Sequence, residues 1–440
     1  MTIEEATLKT EEMTMNNGET PLFRMSLEEM GRGEQPESKD PFDWGLPGQL
    51  SVKDVAIYDK FQKEVEKRGG DFRDTVYSFG ECEGEPHTLC RWLRARKFDY
   101  NDTIKMVEEA TECRSLPKSE NYYPDPRACL GVNVGVYIDQ YPQLYSGYSK
   151  NGSPLFISKP GKLNIASIEC ATSLSRLLDF HWYVMMHDFG DRLRKKKAED
   201  PDFRKFQCLT VMDLEGLSIT QINSKVLGVI KEQAFVDSLC FPETMYKTLV
   251  INAPSFFAAT WKIIKGFVDP RTAGKIEIIS SKSKAHSRLL ELVDADQLPS
   301  DYGGTDTSTI DTLMVEAVKS TPIEGLKRIT SEIISIRSHG SITIELLAGE
   351  EMDVNIHGKG SGTFFSIYNI NDKSKKSQIG KVNFDHSSGS TADSERELPT
   401  NISLTEASGK VKGPGTFKIK GESKSRRLTS EYYLIVCNVF

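Results

Sequence analysis

The sequence predicts an α/β fold, with a mixed and mostly parallel sheet flanked by helices, a small helical subdomain before it and an antiparallel β-sandwich after it. Three observations carry this. Between about 130 and 305, short runs rich in branched apolar residues (206–214, 248–253, 275–280) alternate with helical stretches and are bounded by polar turns, Pro or Gly, as strands covered on both faces should be. Upstream, 53–68 places Val55, Tyr58, Phe61, Gln62 and Val65 at helical spacing with charges elsewhere. Over the last hundred residues the period becomes two: Ile342, Ile344 and Leu346, then Met352, Val354 and Ile356, then Val411, Phe417 and Ile419, divided by Gly- and Ser-rich turns.

Taken in order, 1–50 mixes Glu, Thr, Asn, Gly and Pro without apolar periodicity and reads as a flexible arm. The helical subdomain spans 51–125. Within it Arg91, Arg94, Arg96 and Lys97 recur on a helical rhythm, which suits a solvated basic face or a phosphate site. The α/β domain spans 126–305. Candidate strands 132–138 and 154–159 flank the turn Ser149-Lys-Asn-Gly-Ser-Pro, whose Asn-Gly signals a tight turn. One long helix is expected over 168–197, carrying Asp179, His181, His187 and Asp188. Six residues separate the histidines, so they sit about 240° apart around a helix and cannot share a metal, and we read them as structural. The helix closes on Arg192-Leu-Arg-Lys-Lys-Lys, which complements a helix C-terminus and could also meet an anionic membrane. A helix at 223–239 leads into 241–280, the stretch around which the domain is organised. There the segment 255–268 carries Phe256, Phe257, Trp261, Ile263, Ile264, Phe267 and Val268 around most of a helix, with Lys262 and Lys265 its only charges. One face cannot hold so much apolar surface, so a second must meet a greasy ligand, with Glu243, Thr272 and Lys275 forming a polar end. Residues 306–338 read as a linker with one short helix, and 339–440 as the sandwich.

Composition excludes several classes. A net charge of −7 argues against a general nucleic-acid binder. The N-terminus has no basic and apolar leader, and no apolar run spans a bilayer, so a cytoplasmic protein that associates peripherally with membranes is expected. The eight cysteines include no Cys-x-x-Cys pair or Cys/His cluster, which indicates reduced thiols and no metal site. No Gly-x-Ser-x-Gly elbow, Walker A loop or His-Glu-x-x-His is present, so no catalytic residue is assigned and the protein is read as no enzyme.

Cys90-Arg-Trp-Leu-Arg-Ala-Arg-Lys-Phe, Val211-Met-Asp-Leu-Glu-Gly-Leu-Ser, Phe241-Pro-Glu-Thr-Met-Tyr-Lys with Val250-Ile-Asn-Ala-Pro, Asp269-Pro-Arg-Thr-Ala-Gly-Lys-Ile and Leu298-Pro-Ser-Asp-Tyr-Gly-Gly resemble the CRAL-TRIO lipid-binding domain of Sec14-like phosphatidylinositol transfer proteins. The sandwich is similar, more loosely, to a GOLD domain, as in patellins and their animal relatives. The resemblance implies a pocket closed by a hinged gate helix, here 255–268, with lipid-chain contacts from Phe256, Phe257, Trp261, Ile264, Phe267 and Val268. It places phosphatidylinositol head-group contacts on Arg96, Glu243, Thr272 and Lys275. These supply cations for phosphate and a carboxylate and hydroxyl for inositol. Of the phosphatidylcholine pattern, Tyr145 and Thr210 match, whereas Cys208 stands in place of serine and Phe156 in place of tyrosine, so the second lipid is left open. The expected ligand is thus a bound phospholipid, with no other cofactor. The alternatives are a membrane-associated adaptor working through a protein partner of the GOLD-like module, and a carrier of a tocopherol or retinoid.

The C-terminal Cys437-Asn-Val-Phe formally fits a prenylation signal, with Lys424, Arg426 and Arg427 upstream. Its apolar context, 432–436, reads instead as the last strand of the sandwich.

Overall fold

The computed structural model describes residues 44–266, 268–320, 323–360, 362–372, 378–384, 399–405, 409–424 and 429–440. Most of the expected N-terminal arm, together with Phe267, Arg426 and Arg427, lies outside them. The chain divides into two compact units, 1–111 with 196–206, and 112–195 with 207–440.

The first unit holds helices α1 (Val52–Arg68), α2 (Gly70–Val76), α3 (Gly80–Glu83), α4 (Glu85–Ala95) and the start of α5 (Tyr100–Ser119). Helix α1 begins at a capping box in which Ser51 and Asp54 exchange hydrogen bonds. The residues before it are packed: Trp44 lies 6.1 Å from the Phe98 ring, beneath the Arg94 guanidinium, and Leu50 is buried. Residues 44–50, expected to belong to a flexible arm, are therefore part of the packed unit. The basic rhythm of α4 is also not one solvated face. Arg91 and Arg94 are buried, and the Arg91 Nε lies 3.0 Å from Glu83 with its guanidinium 4.3 Å from the Phe206 ring centroid. Paired and stacked, these charges join the core.

In the second unit, α6 (Pro126–Leu130) and α7 (Val134–Gln140) precede strands β1 (Gln143–Tyr148) and β2 (Pro154–Ser158). Then come α8 (Ile165–Ala171), α9 (Leu174–Tyr183), a π-helical turn (Val184–Phe189), α10 (Gly190–Glu199, whose end belongs to the first unit) and β3 (Cys208–Asp213). The domain continues through α11 (Ser224–Cys240), β4 (Met245–Ile251), α12 (Phe257–Lys265), α13 (Pro270–Gly274), β5 (Ile276–Ile279), α14 (Lys282–Leu292) and α15 (Ile310–Ser320). The sheet order is β1-β2-β3-β4-β5, with the first pair antiparallel and the rest parallel.

Two expectations need correction here. The stretch 132–138, read as a strand from its alternating valines, is mostly α7. Asn133 caps it by accepting from the Gly135 amide at 2.8 Å, and Val136 and Tyr137 are buried in a helical core, so the cap and tertiary packing override β-propensity. The first strand of the hairpin is β1, which carries no strong alternation. The long helix expected over 168–197 is broken at Thr172, Ser173 caps α9, and a π turn separates α9 from α10. His181 meets Asp237 at 2.7 Å and His187 the Asn121 carbonyl at 3.0 Å, so each histidine has its own partner.

Strands β6 (Arg328–Ile336), β7 (His339–Leu346), β8 (Glu351–Gly358), β9 (Thr363–Asn369), β10 (Gln378–Phe384), β11 (Thr400–Ser403), β12 (Val411–Lys412), β13 (Gly415–Ser423) and β14 (Glu431–Val439) form two antiparallel sheets, β10-β9-β13-β7 and β11-β8-β14-β6, with β12 on β8. Strand β6 begins inside the stretch read as linker. The alternating residues Ile342, Ile344, Leu346, Met352, Val354, Ile356, Val411, Phe417 and Ile419 all face the sandwich core. Strand β14 is apolar on both faces because both are covered. Tyr433, Ile435, Cys437 and Val439 point into the sandwich, while Leu434 and Val436 join the helical core of Leu130, Val136 and Phe180. Gln140 Nε2 donates to Ser331 Oγ at 2.9 Å across the same seam. The Cys437 thiol is fully buried there, and burial pushes it up to about 12, which agrees with a core strand rather than a prenylated tail.

His357 of β8 is buried, and desolvation pulls its imidazole down to about 4. It folds neutral, while the unfolded chain takes up a proton near pH 6.5, so its contribution to stability is present above 6.5 and is lost as the pH falls toward 4. The loss is on the order of 3 kcal/mol. Urea midpoints at pH 7 and 4.5 measure it. His357→Phe should narrow the gap between the two midpoints, and an unchanged gap would remove His357 as its cause.

Candidate functional site

The five-stranded sheet is only partly covered on one face, where Thr248 and Val250 of β4 are nonetheless buried, and is fully packed on the other. On that face Leu144, Leu155, Ile157, Leu209, Val211 and Leu249 are buried against Ala285, Leu289, Val293, Leu298 and Tyr302. The opposite face carries the cross-strand row Tyr145, Phe156, Thr210, Thr248 and Ile276. Phe156, Thr210, Met212 and Ile276 are only half-buried there, and Ile278 is 40% exposed. Of the runs expected to be covered on both faces, 248–251 is buried throughout, whereas β5 is half-buried to exposed. The open apolar face is what a hydrophobic ligand would cover.

Helix α12 overhangs one end of this face. Phe257 is buried against Leu214, Val250 and Ala253, with Trp261 and Ile264 packed beside it, while Ile263 on the opposite side is 50% exposed. The helix is shorter than expected and its apolar surface more one-sided. Phe256 and Val268, at its flanks, are half-buried, and Phe267 lies outside the described residues. A second apolar wall went unnoticed in the sequence. Helix α11 spreads apolar residues around its circumference among exposed Lys225, Lys231 and Glu232, with Val226, Leu227, Val229 and Ile230 half-buried and Phe235 55% exposed. Its signal is legible in retrospect, since apolar residues on every side are more than one packed face can bury.

Glu243 and Lys275 meet at the amino ends of β4 and β5. Lys275 Nζ lies 3.4 Å from Glu243 Oε2 and donates to the Met245 carbonyl at 3.0 Å, with its side chain buried. Glu243 is held in the left-handed region, at φ +62°, by the turn after α11. Helix α13 is capped by Asp269, whose carboxylate accepts from the Arg271 amide at 2.9 Å, and it carries Thr272 one turn before Lys275. Arg271, which the sequence reading passed over, comes within 4.0 Å of Glu243. Arg96 belongs to the other unit, where it is half-buried at the end of α4 and donates to the Ala95 carbonyl at 3.2 Å.

A second polar cluster surrounds Tyr145 and Thr210. Thr210 Oγ1 donates to Cys208 Sγ at 3.9 Å, and the Tyr145 ring lies 4.9 Å from Phe156. Arg192, read as part of a solvated run, turns inward instead. Its guanidinium stands 4.4 Å from the Tyr145 ring centroid, and its Nε donates to Asp188 at 3.3 Å. Burial raises Tyr145 and Asp188 and pushes Cys208 up to about 12. Tyr145 and Cys208 nonetheless keep some accessible surface.

Asp213, Tyr302 and Gly304 hold the frame around this site. Asp213 at the end of β3 accepts from Asn252 Nδ2 at 2.8 Å, from the Glu215 amide at 3.0 Å and from the Tyr302 hydroxyl at 3.1 Å. A Cβ on Gly304 would stand 1.8 Å from the Leu298 carbonyl oxygen, so the double-glycine turn admits no side chain there.

Fold and site thus define an α/β binding domain with a half-open apolar sheet, an overhanging helix and a charged pair at its polar end. Comparison with known families is specific. The CRAL/TRIO domain model matches residues 138–304 and the CRAL/TRIO N-terminal domain model residues 57–109. The SEC14 cytosolic factor of Candida glabrata is 30% identical over 260 residues, covering 59% of this chain and 80% of that one. The Sec14 cytosolic factor of Schizosaccharomyces pombe is 30% identical over 267 residues, covering 59% and 85%. The phosphatidylinositol/phosphatidylcholine transfer protein SFH9 of Arabidopsis thaliana is 28% identical over 253 residues, and the chain spans only 43% of its length. The chain belongs to the Sec14-like CRAL/TRIO family.

Proposed function

We propose that the protein binds phosphatidylinositol on the open sheet face and exchanges it between membranes, as a carrier with no chemical step. The observation that carries this reading is the pair of buried Lys275 and half-buried Glu243 at the polar end of an otherwise apolar site, with Thr272 and Arg271 beside it. Cationic donors suit a phosphodiester, and a carboxylate and a hydroxyl suit inositol. Arg96 is the remaining head-group candidate. Energetics favour a carrier: at ~0.8 kcal/mol per CH₂, two acyl chains of about sixteen carbons represent on the order of 25 kcal/mol of burial, which forbids free passage through water. A pocket as apolar as the bilayer makes exchange nearly neutral, so docking and displacement of α12 set the rate. Among the described residues no helix is long and apolar enough to cross a membrane, and relatives named cytosolic factors support a cytoplasmic protein that visits membrane surfaces.

Around Tyr145 and Thr210 the set is less suited to a choline-lipid phosphate, since Cys208 and Phe156 offer no hydroxyl, although Arg192 adds a cation. The β-sandwich, sharing a core with α6–α9, would fix the orientation of docking and receive any protein partner. Mass spectrometry of lipid extracted from protein made in its native cell should find phosphatidylinositol, and labelled phosphatidylinositol should move between vesicles. Recovery of a tocopherol or retinoid alone, or of no lipid, would reject the reading in favour of the other carrier or an adaptor.

A further inference from the structure

Of the eight cysteines in the chain, Cys113 and Cys240 meet thiol to thiol. Cys113 on α5 and Cys240, the last residue of α11, are in hydrogen-bond contact. Arg114, next to Cys113 and fully buried, holds the two elements in place. Its Nη1 donates to the Cys240 carbonyl at 3.4 Å and its Nη2 to the Tyr122 hydroxyl at 3.3 Å. The same guanidinium lies between 5.3 and 5.7 Å from the ring centroids of Tyr122, Trp182 and Phe241.

We propose that Cys113 and Cys240 are an oxidisable dithiol, which a hydroperoxide closes into a disulfide that staples α5 to the end of α11. The contact donated by Cys240, with the Arg114 charge, lowers the Cys113 thiol to about 7, whereas Cys240 is raised. Cys113 is half-buried and open to a small oxidant, while Cys240 is buried and suited to resolving. The remaining thiols compete poorly: Cys82 is fully buried, and burial pushes Cys90, Cys129, Cys170, Cys208 and Cys437 well up.

The chemistry balances in two steps. The Cys113 thiolate attacks the distal peroxide oxygen, the O–O bond breaks, and the departing alkoxide or hydroxide takes a proton, leaving Cys113 sulfenic acid. The Cys240 sulfur then displaces hydroxide from that sulfur and its own proton completes a water. Two thiols and one hydroperoxide thus give one disulfide, one alcohol and one water (two waters from hydrogen peroxide), a two-electron oxidation. Cys240 stands three residues before Glu243, so the staple restrains the segment that places the charged pair. This last consequence rests on the lipid-exchange reading, whereas formation of the bond does not.

The full chain is treated with a slight excess of hydrogen peroxide at pH 7, labelled with maleimide and digested. The expected result is loss of two labelled thiols, a Cys113–Cys240 linked peptide and a mass lower by two hydrogens, all reversed by dithiothreitol and all absent in Cys113→Ser. Full labelling of every thiol, or a bond between another pair, would overturn the proposal. In vesicle assays the oxidised protein should exchange phosphatidylinositol severalfold more slowly and recover on reduction. A stapled protein with undiminished exchange would overturn the link to the head-group segment, and absence of exchange in the reduced protein would count against the lipid-transfer reading instead.

Discussion

Lys275→Met combined with Glu243→Gln is expected to abolish phosphatidylinositol transfer and leave the fold standing. The two residues pair at 3.4 Å, the lysine buried and the glutamate half-buried. Truncating one alone removes the other's closest ion-pair partner, and Lys275→Ala therefore mixes a loss of binding with a cost to stability of up to about 3 kcal/mol, Arg271 still facing Glu243 at 4.0 Å. Replacing both by neutral side chains of similar volume removes the charges together, a change that is close to neutral for folding. Binding has no such compensation. A phosphodiester that loses its ammonium donor gives up about 2 to 3 kcal/mol, on the order of a hundredfold in affinity. Transfer of labelled phosphatidylinositol between vesicles, read beside the urea midpoint, separates the two effects. Wild-type transfer by the double variant would remove the pair from the head-group site, whereas lost transfer with a collapsed midpoint would speak only of stability.

What could be read from the sequence depended on how local each signal was. The alternation of Ile342, Ile344 and Leu346 survives intact because period two reports a face, and that face is the sandwich core. Alternation failed at 132–138, where Asn133 supplies a cap and a helical core takes Val136 and Tyr137. The polar end was legible in Glu243 and Lys275, which the fold brings together across β4 and β5. Arg271 and Arg192 were not, because a charge within a basic or turn segment looks solvated until its partner, Glu243 for one and Asp188 with Tyr145 for the other, is placed by tertiary structure. The half-open sheet face was hidden for a related reason. A strand buried on both sides by protein and one buried on one side by ligand carry the same apolar residues, and only the packing tells them apart.

Asp213→Ala is expected to cost more stability than any conservative change in the apolar site, because two distant stretches and its own turn converge on one buried carboxylate. Asn252, Glu215 and Tyr302 all donate to it, and Tyr302 is itself only 3% exposed. Removing the acceptor leaves a buried phenol and a half-buried amide without it, about 1 to 3 kcal/mol for each group, and hence about 2 to 6 kcal/mol in all. Tyr302→Phe removes one donor and leaves Asp213 two others, so about 1 kcal/mol is expected. The two losses should not add: once Asp213 is alanine, taking away the Tyr302 hydroxyl relieves an orphaned donor and should cost nothing. A urea-unfolding cycle over the four proteins tests this, and additive costs would mean that Tyr302 and Asp213 act independently. The consequence reaches the open sheet face, since Asn252, held at φ +53° by the same carboxylate, begins the turn from β4 into α12. Loosening it should raise amide exchange in α12 before the sheet opens, which hydrogen-exchange mass spectrometry of the milder Tyr302→Phe variant would detect.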